Sequence, residues 1–536
     1  MRPSLSRIYA EVPFPTSNVS VNSKGSVYWI GKGYRNANGK PTSKLECIGK
    51  KNNETGWLIP NDRYFEIYED KVPVSASLEV DSIRDVGDYF LLDWVTRHLK
   101  LDMILNNVFK DSSESIIALA IYTALEGNVY FYAEDWCDST YIRDGLRLNS
   151  SNTSRLLDRI TEGEKMEFFR AWINAREQNE YLAYDITSIS TYSESEFAEY
   201  GYNRDKDNLA QINLGMYFGE ESMIPVYYSI YPGSIPDVTH LQTMLRDNER
   251  LGLRKVKLVL DRGNFSSENV RALVKMPEVK RFIIGMNKGQ AIPVSYLDKY
   301  GKEATSSRYN LYDNGETKGN GYTGNDYGFR AKYHIYYSNE KKAELEPEFS
   351  RMINNWEDML LNGTMVSDNA KEFFVIEKTD DNSFKYIGRN YEQIDKRIDE
   401  LGFFMIMSTD FEKSSKEILE IYRKKDVIEK CFDRLKNELD TKRLRVHTAA
   451  KQDAKLFIIF LAIILTSYIS VCLKEYIDNS KSPVTLEKIL KELRKIKALK
   501  TKNGITLLNP ITKKQRDILE VFGINETDIL SFLTSG

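Results

Sequence analysis

An α/β protein, its mixed sheet covered by helices on both faces, is predicted by three features of the 536-residue chain. Between Tyr181 and Gly285, short apolar runs bounded by turn residues read as strands, with helical spacing between two of them. Two of those runs carry one acid each, Asp185 and Asp261. Much later, Glu417 to Leu439 has neither Gly nor Pro and reads as one long helix, with Ile421, Ile428, Phe432, Leu435 and Leu439 on one stripe.

Composition narrows the class. With 41% hydrophobic, 29% charged and 12% aromatic residues, the chain is an ordinary globular protein, and its length calls for about three to five folded units. A net charge of −3 rules out a globally basic protein, so any contact with nucleic acid must come from local surfaces. Cys47, Cys137, Cys431 and Cys472 are scattered, and Met1-Arg-Pro-Ser-Leu5 lacks the apolar run of a signal peptide, so a reduced, cytoplasmic protein is expected. His98, His240, His334 and His447 have no zinc-ligand spacing; a metal site here has to be built from carboxylates.

In chain order, residues 1 to 85 read as a small β-rich region, with a strand at Ser26 to Ile30 and a basic turn at Tyr34 to Gly39, to which no chemistry attaches. Residues 86 to 178 turn helical, through Tyr89 to Leu99, Ser115 to Leu125 and Arg155 to Trp172. They hold either a helix-turn-helix that binds DNA ends or plain helical packing. Tyr181 to Ile189 is apolar on both sides of Asp185, as a central strand is. Strands at Gln211 to Phe218 and Ile224 to Ile230 follow, then a helix from Asp237 to Leu251 and a buried strand, Lys255 to Leu260, that ends in Asp261. Ser266 or Ser267 caps the next helix, and Arg281 to Gly285 is a further strand. Open α/β sheets place ligands just outside the carboxyl ends of their strands, which is where Asp261 sits.

This order is that of a ribonuclease H-like sheet, expected over 179–286 plus 401–475. What the sheet still needs is a helix delivering a third acid, and Glu417 to Leu439 supplies it with Glu429. The intervening residues 287–400 read as an insertion domain. Its Asn314 to Gly328 segment is a polar loop, strands lie at Ala331 to Tyr337 and Glu372 to Glu377, and a helix spans Glu340 to Leu361. The loop's Gly319-Asn-Gly321-Tyr-Thr-Gly324 has the spacing of a dinucleotide fingerprint, but no apolar strand precedes it. Gly402 to Ser408 is the strand leading into the long helix. Leu456 to Leu473 is uncharged for 18 residues yet holds Thr466, Ser467, Tyr468 and Ser470, and is expected to be a buried core helix rather than a membrane span. Residues 476–536 form a basic helical C-terminal region. There Leu486, Ile489, Leu490, Leu493 and Ile496 keep helical spacing toward Lys502, and the lysines make a solvated or a phosphate-contacting face.

Asp185, Asp261 and Glu429 are thus three carboxylates without His or Cys company, a donor set for Mg²⁺ or Mn²⁺. Two such ions support in-line phosphoryl displacement. Tyr422, Lys425, Glu429 and Lys436 fall within an arc of about 60° beside the apolar stripe.

The spacing Tyr422-x2-Lys425-x3-Glu429-x6-Lys436 resembles the Tyr-x2-Arg-x3-Glu-x6-Lys signature of the DDE transposases of bacterial insertion sequences, in the branch with a large insertion before the last acid. Tyr184-Asp185-Ile-Thr-Ser resembles that family's first acid block and Val259-Leu-Asp261-Arg-Gly-Asn-Phe its second. The resemblance implies metal-dependent DNA strand cleavage at element ends followed by strand transfer to target DNA. It makes Asp185, Asp261 and Glu429 the catalytic metal ligands, for two Mg²⁺ or Mn²⁺ ions, and Tyr422, Arg423, Lys425 and Lys436 the DNA-binding residues. Its implied partners are double-stranded DNA, as terminal inverted repeats and target, and a second copy of the chain in a paired-end dimer. One position departs: the family's Arg is Lys425 here, with Arg423 two residues earlier, and Lys lacks the bidentate fork. Two other readings share the residues: a ribonuclease H-like nuclease or resolvase, and a non-cleaving DNA-binding protein of transposase descent.

Overall fold

The strands of the predicted sheet are Tyr181–Thr191 (β1), Gln211–Gly219 (β2), Pro225–Pro232 (β3), Val256–Leu260 (β4), Val279–Met286 (β5), Thr317–Gly324 (β6), Ala331–Ser338 (β7), Phe403–Ser408 (β8) and Arg443–Leu444 (β9). In the computed structural model they form one nine-stranded mixed sheet in the order β6-β7-β8-β5-β4-β1-β2-β3, with β9 added parallel to the end of β1. Its residues 11–35, 39–68, 80–142, 146–176, 180–191, 197–201, 209–235, 237–312, 315–378, 384–433, 435–436, 443–444, 448–480, 484–502 and 506–534 are described here. Met1 to Leu5, His447 and Leu439, the last member of the apolar stripe, lie outside the described residues.

The first five strands have the ribonuclease H-like arrangement. β1, β2 and β3 pair antiparallel as consecutive hairpins, and β4 and β5 then add in parallel on the other side of β1. Parallel addition needs crossovers, which Asp237–Leu251 (α1) and Ser267–Lys275 (α2) provide. Ser266 caps α2 by accepting from the Asn269 amide. The opposite face carries Tyr181, Val259 and Ile283, buried against Ile418, Leu419 and Ile421 of Ser415–Lys424 (α3). Helices therefore cover both faces, as predicted. Arg281 on β5 locks the edge far from the acids, bridging Asp410 at 2.7 Å and Glu412 at 2.7 Å, while the Tyr181 hydroxyl donates to Asp410 at 2.6 Å.

The uncharged stretch is helix Ala449–Cys472 (α5), buried without a break from Ala454 to Ser467. It is long and apolar enough to cross a membrane, but here its surface is taken up by helix Ser113–Glu126 and by β3. Thr466 and Ser470 return their hydroxyls to carbonyls one turn back, which satisfies them inside the core.

Five expectations are corrected. The helix read as Glu417 to Leu439 is two, α3 and Asp426–Asp433 (α4), with a break at Lys425, whose amide bonds back to the Tyr422 carbonyl in a tightened turn. The stretch Arg155 to Trp172 is also two helices, Ser150–Arg159 and Glu162–Ala175. Thr161 and Glu164 form a capping box at the junction, a Thr-x-x-Glu signal present in the sequence. The Gly-rich segment is not a loop but edge strand β6. A side chain at Gly319 would overlap the ring of buried Tyr336, and one at Gly324 would overlap the Tyr296 hydroxyl, so the glycines make room for aromatic neighbours. The intervening segment is not all separate from the sheet. β6 and β7 extend it through β8, and only 339–401 builds its own core, from Phe349, Ile353, Leu360, Phe373, Phe374 and Leu401.

Finally, the basic C-terminal helix ends at Leu493, and Lys497–Thr501 is a strand that pairs with Val80–Asp85 and with Thr506–Leu508. Strand 80–85 thus belongs with the C-terminal region rather than with the N-terminal one. Many of the cations there answer the chain's own acids: Lys491 to Glu487, Lys495 to Glu492, Lys497 to Asp85, and Arg494 to Asp88 and Glu126.

Candidate active site

The hydrogen-bond register of the sheet brings the first two acids level. Tyr184 on β1 lies opposite Leu260 on β4, and the next residue on each parallel strand is Asp185 and Asp261. Alternation places Asp185 on the face of Tyr181 and Asp261 on the face of Val259, the face covered by α3, and α4 packs against β1. Burial differs along the way: β1 is buried on either side of Asp185, which is itself only half-buried.

Asp261 starts a short 3₁₀ turn, Arg262–Asn264, and is held from α3. The Tyr422 hydroxyl donates to its Oδ1 at 2.9 Å, and Lys425 Nζ lies 3.4 Å from the same oxygen. Burial opposes ionisation of Asp261, but the charge of Lys425, the Arg262 amide and the Tyr422 hydroxyl outweigh it and hold the carboxyl below its ordinary range. The same burial, with Asp261 beside it, pushes the Tyr422 phenol well up, so it remains a donor. Gly285 on β5 is part of this arrangement, because any side chain there would overlap the Tyr422 hydroxyl. In the sequence Gly285 reads only as the end of a strand. The signal was a glycine closing an apolar run, which often marks close approach.

Glu429 stands one turn after Lys425 on α4, exposed, with Lys425 Nζ 3.2 Å from its Oε1. Lys425 is therefore an ammonium between two carboxylates, over the Tyr422 ring at 5.5 Å. Of the predicted residues the structure joins Asp261, Tyr422, Lys425 and Glu429 by direct contacts and sets Asp185 on the adjacent strand. Arg423 is not among them. It points toward the sheet edge, 3.5 Å from Thr317 Oγ1 and over the Tyr312 ring at 5.9 Å. Lys436 lies seven residues beyond Glu429, half-buried next to buried Leu435.

Asp185, Asp261 and Glu429 suit a hard divalent cation by their chemistry, and the depressed Asp261 is ionised. Among the described residues, however, no three such ligands are grouped tightly enough to enclose an ion, and Lys425 supplies the positive charge between two of them. A long flexible lysine can withdraw from that position more readily than a planar, forked arginine.

A cavity of about 970 Å³ opens beside Tyr422 and Gly285, between the sheet and the 339–401 unit. Arg262, Lys288, Lys341 and Arg397 line it, with Glu348, Asp368 and Glu372 also on its wall, over Phe403, Phe404 and Trp356. Burial, with the neighbouring charges of Arg397 and Lys341, pulls the Lys288 ammonium down to about 8. Its Nζ donates to the Glu400 carbonyl at 2.8 Å, and Lys341 sits 4.8 Å over the Phe404 ring. These cations are scattered over more than a hundred residues, so no local motif could announce them.

The transposase DDE domain family is matched over residues 177–465. Among solved structures the chain is similar to a piggyBac transposase in a synaptic complex with hairpin DNA, at 8% identity over 84% of this chain and 82% of that one, with a TM-score of 0.33. No curated protein matches the chain. With more than half of its 536 residues matched, the protein belongs to the transposase DDE domain family.

Proposed function

We propose that this chain is the transposase of a bacterial insertion sequence, of the branch with an insertion before the last acid, and that it cuts DNA at the element's ends and transfers the freed strand to target DNA. One observation carries the reading: Asp185 and Asp261 lie level on adjacent parallel strands, with Tyr422, Lys425 and Glu429 set against Asp261 from the helices above. Asp185, Asp261 and Glu429 would hold Mg²⁺ or Mn²⁺, two ions in the family's manner. Ions held there would supply Lewis acidity to a phosphate oxygen and to the nucleophile. Lys425 balances the charges of Asp261 and Glu429, as a bound cation would, and would contact a DNA phosphate, while Tyr422 fixes the Asp261 oxygen that faces it. A nuclease without strand transfer would use the same residues, and a homodimer pairing two ends belongs to this proposal. The test is cleavage of DNA carrying the element's terminal inverted repeats, with and without Mg²⁺. Joining of the cut 3′ end to a second duplex distinguishes transposition from simple hydrolysis.

The four cations of the cavity would take the phosphates of the engaged strand, and this sets a pH dependence. Polyanion binding favours charged Lys288, so DNA affinity should fall about threefold to tenfold as the pH rises through about 8, where Lys288 loses its proton. The Lys288→Gln variant should bind more weakly at pH 7 and lose that slope; a wild-type affinity flat across this range would remove Lys288 from the interface. Lys436→Ala should lower the slope of log affinity against log salt by about 0.9, one phosphate contact. An unchanged salt profile would place Lys436 off the DNA.

A further inference from the structure

The N-terminal unit takes no part in the site above, and one piece of it stands clear of its own core. Its four-stranded antiparallel sheet runs in the order Val19–Val21, Ser26–Arg35, Pro41–Lys51, Leu58–Pro60. The two outer strands are three residues long and cover only Val27–Trp29 and Gly49–Lys51. Past them the middle strands continue as a two-stranded ribbon, with Ile30 opposite Leu45 and Arg35 opposite Pro41. No third strand pairs with 31–35 or 41–46 among the described residues. Val27, Ile48, Leu58, Tyr64 and Phe65 form the unit's core, all at the base of the ribbon.

Among the described residues, none of the side chains packed in that core belongs to the ribbon beyond Trp29. Lys32, Gly33, Tyr34, Arg35, Lys40, Lys44 and Leu45 are exposed on it. From 30 to 45 the sequence holds four cations, Lys32, Arg35, Lys40 and Lys44, and no Asp or Glu, in a chain of net charge −3. Lys44 pairs with Glu46 at 2.5 Å, back at the base. Lysines on bare edges can serve only to prevent strand-to-strand aggregation. Four cations with an exposed tyrosine on a projecting ribbon match a polyanion with a groove. Two strands about 4.8 Å apart, with their side chains, fit the major groove of B-DNA, about 12 Å wide, which admits a two-stranded β-ribbon.

We propose that the ribbon segments 30–35 and 39–45 bind duplex DNA by entering the major groove, with Lys32, Arg35, Lys40 and Lys44 on the flanking phosphates and Tyr34 against the groove wall. The proposal rests on reading the chain as a protein that acts on DNA. It is tested with the full-length chain by fluorescence anisotropy on a labelled duplex across a salt series. Lys32→Thr/Arg35→Thr/Lys44→Thr keeps strand-forming residues and removes three charges. It should lose at least about tenfold in affinity and about 2.7 in the salt slope. Because Lys44 pairs with Glu46, Lys32→Thr/Arg35→Thr, which leaves that pair intact, should lose about 1.8 in slope with an unchanged melting temperature. Wild-type protein that binds duplex while both variants bind with the same affinity and slope would overturn the ribbon alone, leaving its lysines as protection against aggregation. Wild-type protein that binds no duplex would overturn the DNA-acting reading and the ribbon together.

Discussion

Asp261→Asn is expected to remove Mg²⁺-dependent DNA cleavage by far more than about a hundredfold. Loss of a group that merely supports a metal ligand already costs about 10–100-fold, and this substitution alters a proposed ligand itself. The amide is nearly the same size as the carboxylate and its oxygen can still accept from Tyr422, so the positioning contact survives while the charge does not. Lys425 keeps Glu429 as a partner, which limits any structural loss. Duplex affinity should therefore stay within about twofold of wild type, since phosphate contacts rather than this carboxylate carry it. Cleavage and binding are measured on the same DNA, with the melting temperature as a check on folding. Cleavage at the wild-type rate would take Asp261 out of the site. Asp185→Asn and Glu429→Gln should repeat the pattern, and a variant of either that cleaves normally would limit the site to the remaining acids.

How much of this was legible depends on the range over which each feature is encoded. Strand β1 was legible because nine of its residues show a local pattern, apolar on both sides of one acid, that only a central strand tolerates. Asp261 was legible for the same reason, an acid closing a short apolar run. The level placement of the two acids was not: it is set by pairing of Tyr184 with Leu260, and no single segment contains that information. The break at Lys425 escaped because neither Gly nor Pro marks it; both flanking segments favour helix and the turn merely tightens between them. Strand β6 escaped for the opposite reason, since glycine-rich sequence normally means a loop, and its glycines are explained only by Tyr336 and Tyr296 from other elements. The cations of the cavity, Arg262, Lys288, Lys341 and Arg397, converge only after the 339–401 unit folds back beside β5 and β8. The basic C-terminal tract misled because charge in sequence carries no record of its partners. Arg494, one of its cations, finds Asp88 some four hundred residues away.

That pairing carries the second large effect. Arg494→Ala should destabilise the protein by about 3–5 kcal/mol, the usual cost of leaving one member of a buried ion pair alone. Asp88 is 1% exposed and its Oδ2 accepts from Arg494 Nε at 2.6 Å, while Arg494 also reaches Glu126 at 2.5 Å. Without the guanidinium, Asp88 keeps, among the described residues, the Tyr89 amide, which donates to Oδ1 at 2.9 Å. Burial already pushes the Asp88 carboxyl above its ordinary range, with Arg494 pulling the other way. Removing Arg494 leaves the upward shift unopposed. An acid with a raised folded-state pKa binds more protons folded than unfolded, so stability falls as the pH rises above its unfolded value. The deficit of the variant should accordingly be largest at neutral pH and shrink as the pH drops toward the ordinary aspartate range, read from urea midpoints at each pH. Adding Asp88→Asn should recover part of the loss at neutral pH and flatten this pH dependence, because the stranded charge is gone. A deficit that is the same at every pH would mean that packing of the arginine stem, rather than its charge on Asp88, joins helix Gly87–His98 to helix Leu486–Leu493.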